Sequence, residues 1–435
     1  MIRPSMHVQY PARHDLKLGS ISRLLTQDRL VVAALGLTQI IGYGTLYYSF
    51  SVLAASMEKD FGWHSDWIFG VFSASLLAGG LASPWVGRWI DRYGAGPMMA
   101  LGSIGAAIAL FACALATNGI IFAISLVAVE LASSFVLYNA AFALLVQLNP
   151  ETAKIRITHL TLIAGFASTI FWPLTAALHE SLTWREVYYV FAVAHLMLGL
   201  PIHYWLSMLS GNRRKTAKNI STPIVEGSLP KEQLRAGFLL MVSGFAFLGF
   251  VNAAVLIHML PILTALGLGS VSVLVGTMFG PAQVASRLVS LLSGNRLEPL
   301  SLAIISAALM SVAIALLLSS GNWLTGALAF AVIFGLGSGL SSIAQGTLPL
   351  ALFGSQGYGE RVGQATAFRL VASSAAPFVF AFFMHQFGVS PGLAICVIIG
   401  FMAAISFAFT GQLRRQADET IADPNRVSTA IIDGE

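Results

Sequence analysis

The chain alternates long apolar runs with short polar breaks, and the runs are longer than the core-facing segments of a water-soluble fold. From the N-terminus they cover roughly 30–54, 66–86, 97–117, 120–147, 157–178, 187–209, 236–262, 271–293, 300–318, 324–348, 364–386 and 391–411. A hydrocarbon core of about 30 Å takes about 20 apolar residues of helix to cross, so each run predicts one span. Backbone in lipid must satisfy its own hydrogen bonds, which makes each span a helix. The pattern thus predicts an all-α membrane protein with twelve transmembrane helices. The longest internal polar stretch, 210–235, falls between spans six and seven. It divides the chain into a lead-in (1–29), a first six-helix half (30–209), a flexible linker (210–235), a second six-helix half (236–411) and a tail (412–435). A faint repeat makes the halves pseudo-symmetric. Ser83-Pro84 then Gly87-Arg88 in span two has a counterpart in Gly280-Pro281 then Ser286-Arg287 in span eight, and Pro173 in span five matches Pro377 in span eleven. Bundles of paired halves hold their solute near mid-membrane between the halves.

Composition sharpens this picture. Of 435 residues 56% are hydrophobic and 10% charged, where a soluble protein carries about 25% charged residues. The net charge of +5 is no sign of nucleic acid, because the cations sit in alternate loops. With the N-terminus inside, one side collects Arg88, Arg92, Lys154, Arg156, Arg213, Arg214, Lys215, Lys218, Lys231, Arg235, Arg296 and Arg361, with Arg414, Arg415 and Arg426 in the tail; the other holds Lys59 and Arg185. The positive-inside rule then puts both termini in the cytoplasm. Arg3, Arg13, Lys17, Arg23 and Arg29 are spread through polar sequence with no short apolar core and cleavage site, so the lead-in reads as cytoplasmic and not as a signal peptide. Cys113 and Cys396 lie in opposite halves and form no disulfide framework. No phosphate-binding glycine loop, nucleophile elbow or HExxH motif is present, which leaves an ATP-driven pump or a membrane hydrolase without local support. No enzyme activity and no cofactor are expected.

Candidate chemistry rests on polar residues inside apolar runs. A charge near the bilayer centre costs at least ~2.5 kcal/mol, so Arg287 in span eight and Arg369 in span eleven face either a cavity or, by snorkelling, the headgroups. Glu130 is the one acid well inside a span; it reads as a protonatable coupling group or as a helix-packing ion pair. Tyr138 and Asn139, about two turns along, extend that stripe or simply pack. Gln39, Tyr43 and Tyr47 recur every four residues in span one and share a helical face, either hydrogen-bonding and stacking on a solute or packing against neighbours. Trp172 beside Pro173 is deep for a residue that prefers interfaces. His159, His195 and His258 are too scattered for a metal site and read as satisfied polar groups.

The loop after span two, Gly87-Arg88-Trp89-Ile90-Asp91-Arg92-Tyr93-Gly94, resembles the G-x-x-x-D-R-x-G signature of the major facilitator superfamily, with Ala95, Gly96 and Pro97 where a basic residue usually follows. The resemblance implies a secondary transporter whose Gly87, Asp91, Arg92 and Gly94 form a gate, the aspartate capping and ion-pairing at a neighbouring helix end. Gln283-Val284-Ala285-Ser286-Arg287 resembles the D-x-x-x-R of monocarboxylate porters, with Gln283 in place of the acid; an arginine on span eight with a cation on span eleven is similar to oxalate:formate antiporters. Both imply an anionic or oxygen-rich solute held by guanidinium forks. TQIIGYGTLYYSFSVLA with DFGW, and GFASTIFWPLTAALHESLTW with Arg185, resemble bacterial arsenite efflux permeases, which implies export of arsenite or antimonite across the inner membrane. Cys113 and Cys396, on outer helices in that fold, are not expected to bind the metalloid. The alternatives are a monocarboxylate-like anion or a flat aromatic nutrient such as a flavin, and, outside transport, a membrane sensor or scaffold. The expected binding residues are Arg287, Arg369, Gln283, Tyr43, Tyr47 and Gln39, with Glu130 coupling. The expected partners are a small solute, the lipid bilayer and protons, the chain acting as a monomer.

Overall fold

The structure, a computed structural model, describes residues 15–63, 65–217, 224–293 and 296–422. Arg3, Arg13, Lys218 and Arg426 of the charge pattern lie outside them. Among the described residues, 11 helices are long and apolar enough to cross a membrane. They are α1 (Arg29–Phe61), α2 (Trp67–Tyr93), α3 (Ala95–Ala114), α4 (Gly119–Leu148), α5 (Pro150–Ser181), α6 (Trp184–Gly211), α7 (Lys231–Ile257), α9 (Pro299–Ser320), α10 (Leu324–Phe353), α11 (Tyr358–Phe387) and α12 (Val389–Arg415). The remaining run is α8, in two pieces, Ser272–Thr277 and Phe279–Leu292. Pro281 has no N–H for the Thr277 carbonyl four residues back and its ring crowds that carbonyl, so the helix divides there. Several helices also outrun their apolar stretches: α5 begins at Pro150 and α11 at Tyr358, because polar helix ends can pack on one another beyond the lipid.

One hydrophobic cluster fills the second half, from Met241 and Phe245 of α7 to Phe330 and Phe334 of α10 and Phe407 of α12. A second fills the far part of the first half around Phe50, Leu110, Phe122, Trp184 and Phe191. The third joins the halves at the end that carries the basic loops: Val86 and Ile90 of α2, Leu144 of α4 and Ile157 of α5 pack with Leu350 of α10 and Tyr358 and Val362 of α11. The Tyr358 hydroxyl donates to the Gly346 carbonyl at 2.6 Å, closing this seal internally. Along the crossing of α2 and α11, a methyl on Gly87 would meet the Gly359 carbonyl and one on Gly363 the Ser83 carbonyl. Only glycine lets these backbones approach so closely.

The expectation of a flexible 210–235 linker needs correction for its described part. Residues to Ala217 continue the helix of α6, while 224–230 lie along the end of α10. Ser228 N–H donates to Ala351 O at 3.0 Å, Leu229 N–H to Leu352 O at 3.2 Å, and Ser355 N–H to Val225 O at 2.9 Å. Carbonyls at a helix C-terminus lack intrahelical donors, and this strand of chain supplies them. At the opposite end, Asp60 accepts from Trp184 Nε1 at 2.9 Å and from Arg185, whose other arm reaches Ala116 O at 2.9 Å. The DFGW and LTWR stretches thus fasten the loops of the first half together.

Candidate functional site

The centre of the first half is shaped by two departures from α-helix. Gly44–Tyr48 of α1 is a π turn, in which side chains five apart come to the same face, so Tyr48 joins Tyr43 where regular helix would have turned it away. Their ring centroids lie 6.4 Å apart, and Tyr47 and Tyr48 lie 5.3 Å apart. Wider winding loosens backbone bonds, and hydroxyls answer it: Thr45 Oγ1 donates to Ile41 O and Ser49 Oγ to Thr45 O, both at 2.8 Å. Thr45 Oγ1 also sits 2.8 Å from Nε2 of His195, the first residue of a second π turn, His195–Gly199 in α6.

The other departure is in α4, which is interrupted at Leu137, extended at φ −84° and ψ −165°. The break starts a new helix at Tyr138 and places its ring 4.8 Å from Tyr43 and 4.9 Å from Phe142, on which it stacks. It also frees the Val136 carbonyl, and Gln39 Nε2 donates to it at 2.7 Å. Gln39 is fully buried. The expectation that Gln39 shares an open face with Tyr43 and Tyr47 is therefore corrected: it ties α1 to α4, and the π turn re-aims the tyrosines beyond it. Trp172 of α5 completes the group, 6.0 Å from Tyr48 and half exposed.

The second half contributes the cations. Arg369 lies about eleven residues into α11, roughly 16 Å at 1.5 Å per residue, much deeper than its apolar run alone implied. Its stem packs on Gly249 of α7, and its guanidinium is within electrostatic reach of Tyr43 and Tyr47. It makes no hydrogen bond or ion pair with any described residue. Arg287 is different. It is 4% exposed, its Nε donates to Ser342 of α10 at 3.0 Å, and its Nη1 reaches across to the Thr161 carbonyl of α5 at 3.3 Å. Neither the snorkelling nor the open-cavity expectation describes it; it bridges the halves, within reach of Tyr48 and Tyr138. Gln283 begins a polar chain, donating to Ser338 at 3.1 Å, which donates to Asn252 at 3.1 Å. A methyl on Gly339 would collide with Ser286 Oγ and Gln283 O, so close packing of α10 on α8 holds this chain together.

Glu130 lies about eleven residues into α4, at a depth like that of Arg369. It is buried, its Oε2 accepts from Ser133 at 3.2 Å, and its Oε1 has no partner. The ion pair that would make it a plain packing group is absent among the described residues. Gly79 of α2 packs on it, and Tyr47 stands within electrostatic reach of both Glu130 and Arg369. Asn139 accepts from Thr366 of α11 at 3.0 Å, a further tie between the halves.

At the basic end Asp91 accepts the Gly359 and Glu360 N–H groups at 2.9 and 2.8 Å. A carboxylate there meets the free donors and positive end of α11. Arg88 stands 4.0 Å from Glu360. Arg92 is exposed and lies over the Tyr93 ring at 5.4 Å. Gly94 starts α3 with φ +100°, a conformation glycine adopts without strain.

A pseudo-symmetric helical bundle with a polar layer between its halves and a shut basic end defines a multi-pass solute carrier. A family model, the Major Facilitator Superfamily, matches residues 35–381, and the chain belongs to that family. No curated protein matches. Among solved structures, the human organic anion transporter MFSD10 (TETRAN) is similar at TM-score 0.67 and 15% identity, covering 87% of this chain and 99% of that one. The proton:xylose symporter XylE bound to 6-bromo-6-deoxy-D-glucose gives 0.66 and 13%, over 87% and 95%. The transporter FucP in the outward conformation gives 0.64 and 12%, over 87% and 98%. At these identities the likeness is one of fold.

Proposed function

We propose that the protein is a secondary-active, alternating-access transporter of a small organic anion, with the anionic group seated on Arg369. The observation that carries this is a guanidinium about eleven residues inside α11 that makes no ion pair with any described residue. An intramembrane cation is too costly to leave without a role in binding or charge compensation, and a guanidinium fork suits a carboxylate. The motif resemblance to arsenite permeases favours a different solute, neutral arsenous acid, whose hydroxyls suit the Gln283–Ser338–Asn252 chain. That solute leaves Arg369 uncompensated, so the anion is the better reading. Glu130, with one carboxylate oxygen unpartnered, is the group assigned to proton coupling, as XylE is a proton symporter. The loop charges support an orientation with the basic end cytoplasmic, in a bacterial inner membrane, so the state described is shut toward the cytoplasm; the chain is read as a monomer.

The test is flux into proteoliposomes containing the full chain, with acetate and lactate in one arm and arsenite in the other. Carboxylate flux that is lost in Arg369→Gln with protein still inserted is the expected result. Arsenite flux that ignores Arg369→Gln, with no carboxylate flux, overturns the anion reading.

A further inference from the structure

We infer that the transported anion carries a flat aromatic ring, held by Tyr43, Tyr48, Tyr138 and Trp172 while its carboxylate sits on Arg369. This rests on the anion reading above and adds a substrate class to it. The two halves supply different chemistry: rings come from α1, α4 and α5, and guanidinium groups from α8 and α11. A solute with a ring at one end and a carboxylate at the other matches both faces at once.

Three observations carry the ring. First, the tyrosines are brought together by costly local structure, the π turn at Gly44–Tyr48 and the interruption at Leu137; irregular backbone at membrane depth is tolerated where it lines a cavity or is buried in protein. Second, the Tyr47, Tyr48 and Tyr138 hydroxyls and the Trp172 indole N–H make no side-chain hydrogen bond to any described residue, and the Tyr48 and Tyr138 hydroxyls are not sealed away from accessible space. A tyrosine serving only to fill a core usually finds a partner for its hydroxyl, as Tyr358 does with Gly346. Third, Trp172 stays half exposed about nine residues inside the end of α5, roughly 13 Å from it, far from the interface that tryptophan prefers, and its one ring neighbour among the described residues is Tyr48 at 6.0 Å. Aromatic faces are electron-rich and edges electron-poor, so a planar ring between Tyr48, Tyr138 and Trp172 gains stacked and edge-on contacts that a saturated ring of the same size does not.

The probes are phenylacetate, cyclohexylacetate, acetate and the neutral 2-phenylethanol, each titrated into the full chain in nanodiscs with quenching of tryptophan fluorescence and thermal shift as readouts. Phenylacetate is expected to bind about 5- to 10-fold more tightly than cyclohexylacetate, the order of one or two aromatic pair contacts, and at least tenfold more tightly than acetate or 2-phenylethanol. Tyr48→Leu with Tyr138→Leu should erase the preference for phenyl over cyclohexyl. Tyr48→Phe with Tyr138→Phe, which keeps the rings and the fold, should retain it. Equal binding of phenylacetate and cyclohexylacetate, or a preference that survives both leucine substitutions, overturns the ring and leaves the anion reading standing. Tight binding of 2-phenylethanol that is indifferent to Arg369→Gln, or no binding of any carboxylate, overturns the anion reading and this inference with it.

Discussion

Removing the Asp91 carboxylate should loosen the shut end of the bundle by at least what its two bonds to α11 contribute. Asp91 of α2 accepts the first backbone donors of α11, Gly359 at 2.9 Å and Glu360 at 2.8 Å. Hydrogen bonds to a charged group contribute about 1.5–3 kcal/mol each when buried, and helix caps about 0.5–2 kcal/mol. Asp91 is half-buried and water can replace part of what is lost, so about 2 kcal/mol for Asp91→Ala is a fair figure. At 1.4 kcal/mol per tenfold, the population with the basic end open should rise about 30-fold. Val362 is 3% exposed in the seam between α2 and α11. As Val362→Cys it reports opening through its rate of modification by a membrane-impermeant maleimide added from the basic side. The background is simple, because the only native cysteines, Cys113 and Cys396, are buried. Arg88→Ala is the control: its contact with Glu360, at 4.0 Å between exposed groups, is worth about 1 kcal/mol at most, or about fivefold. A maleimide rate in Asp91→Ala within about threefold of the parent, with the reporter reactive once the protein is denatured, would refute the assignment of the cap as part of what holds the end shut.

Glu130→Gln should keep solute exchange and lose accumulation driven by a pH gradient, measured in proteoliposomes with only a proton gradient applied; unimpaired accumulation would place coupling elsewhere. Cys113→Ser with Cys396→Ser should leave transport within about twofold, since both thiols are sealed in the packing of single halves; a loss of arsenite export in that double variant would mean that thiols bind the metalloid. Gly165→Ala should lower the transport rate in the same direction as Arg287→Ala, with protein still in the membrane. A methyl at Gly165 would run into Arg287 Nη1, and a full rate in Gly165→Ala would mean that the Thr161 contact is dispensable.

Much of the bundle was legible because lipid makes an apolar run of about 20 residues and a helix nearly the same thing. The loop after α2 was legible for a related reason: Gly87, Asp91 and Gly94 are each required by local geometry, a close backbone approach, a helix N-terminus and a positive φ. What sequence could not supply was the facing of side chains within a span. Regular spacing put Gln39 with Tyr43 and Tyr47, but the face is set by the π turn that follows, whose loosened carbonyls depend on Thr45, Ser49 and a histidine 150 positions away. Tyr48 was missed for the same reason, and no local pattern marks the break at Leu137. The two arginines look alike in sequence because their partners are set by the fold: the Thr161 carbonyl accepts from Arg287, and no described residue hydrogen-bonds or ion-pairs with Arg369.

That difference has a mechanical consequence. Arg287 holds Ser342 within its own half and the Thr161 carbonyl in the other, so its set of partners depends on how the halves lie. If α5 and α8 part at the basic end, the Thr161 bond breaks, and a buried guanidinium that loses a partner costs of order 1–3 kcal/mol or more. Water entering from the opened end, or an anion in the central layer, can offset that cost; an empty, dry site cannot. Arg369, packed on α7 of its own half through Gly249, has no such bond to lose. One arginine is thus suited to receive an anion in the state described here, while the other is sensitive to which end is open. The two substitutions should therefore differ in kind. Arg369→Gln should weaken ligand binding measured at equilibrium, and Gly165→Ala should change maximal rate with binding within about threefold. Equal loss of binding in both would mean that the arginines form one subsite and that Arg287 is no state-dependent tie.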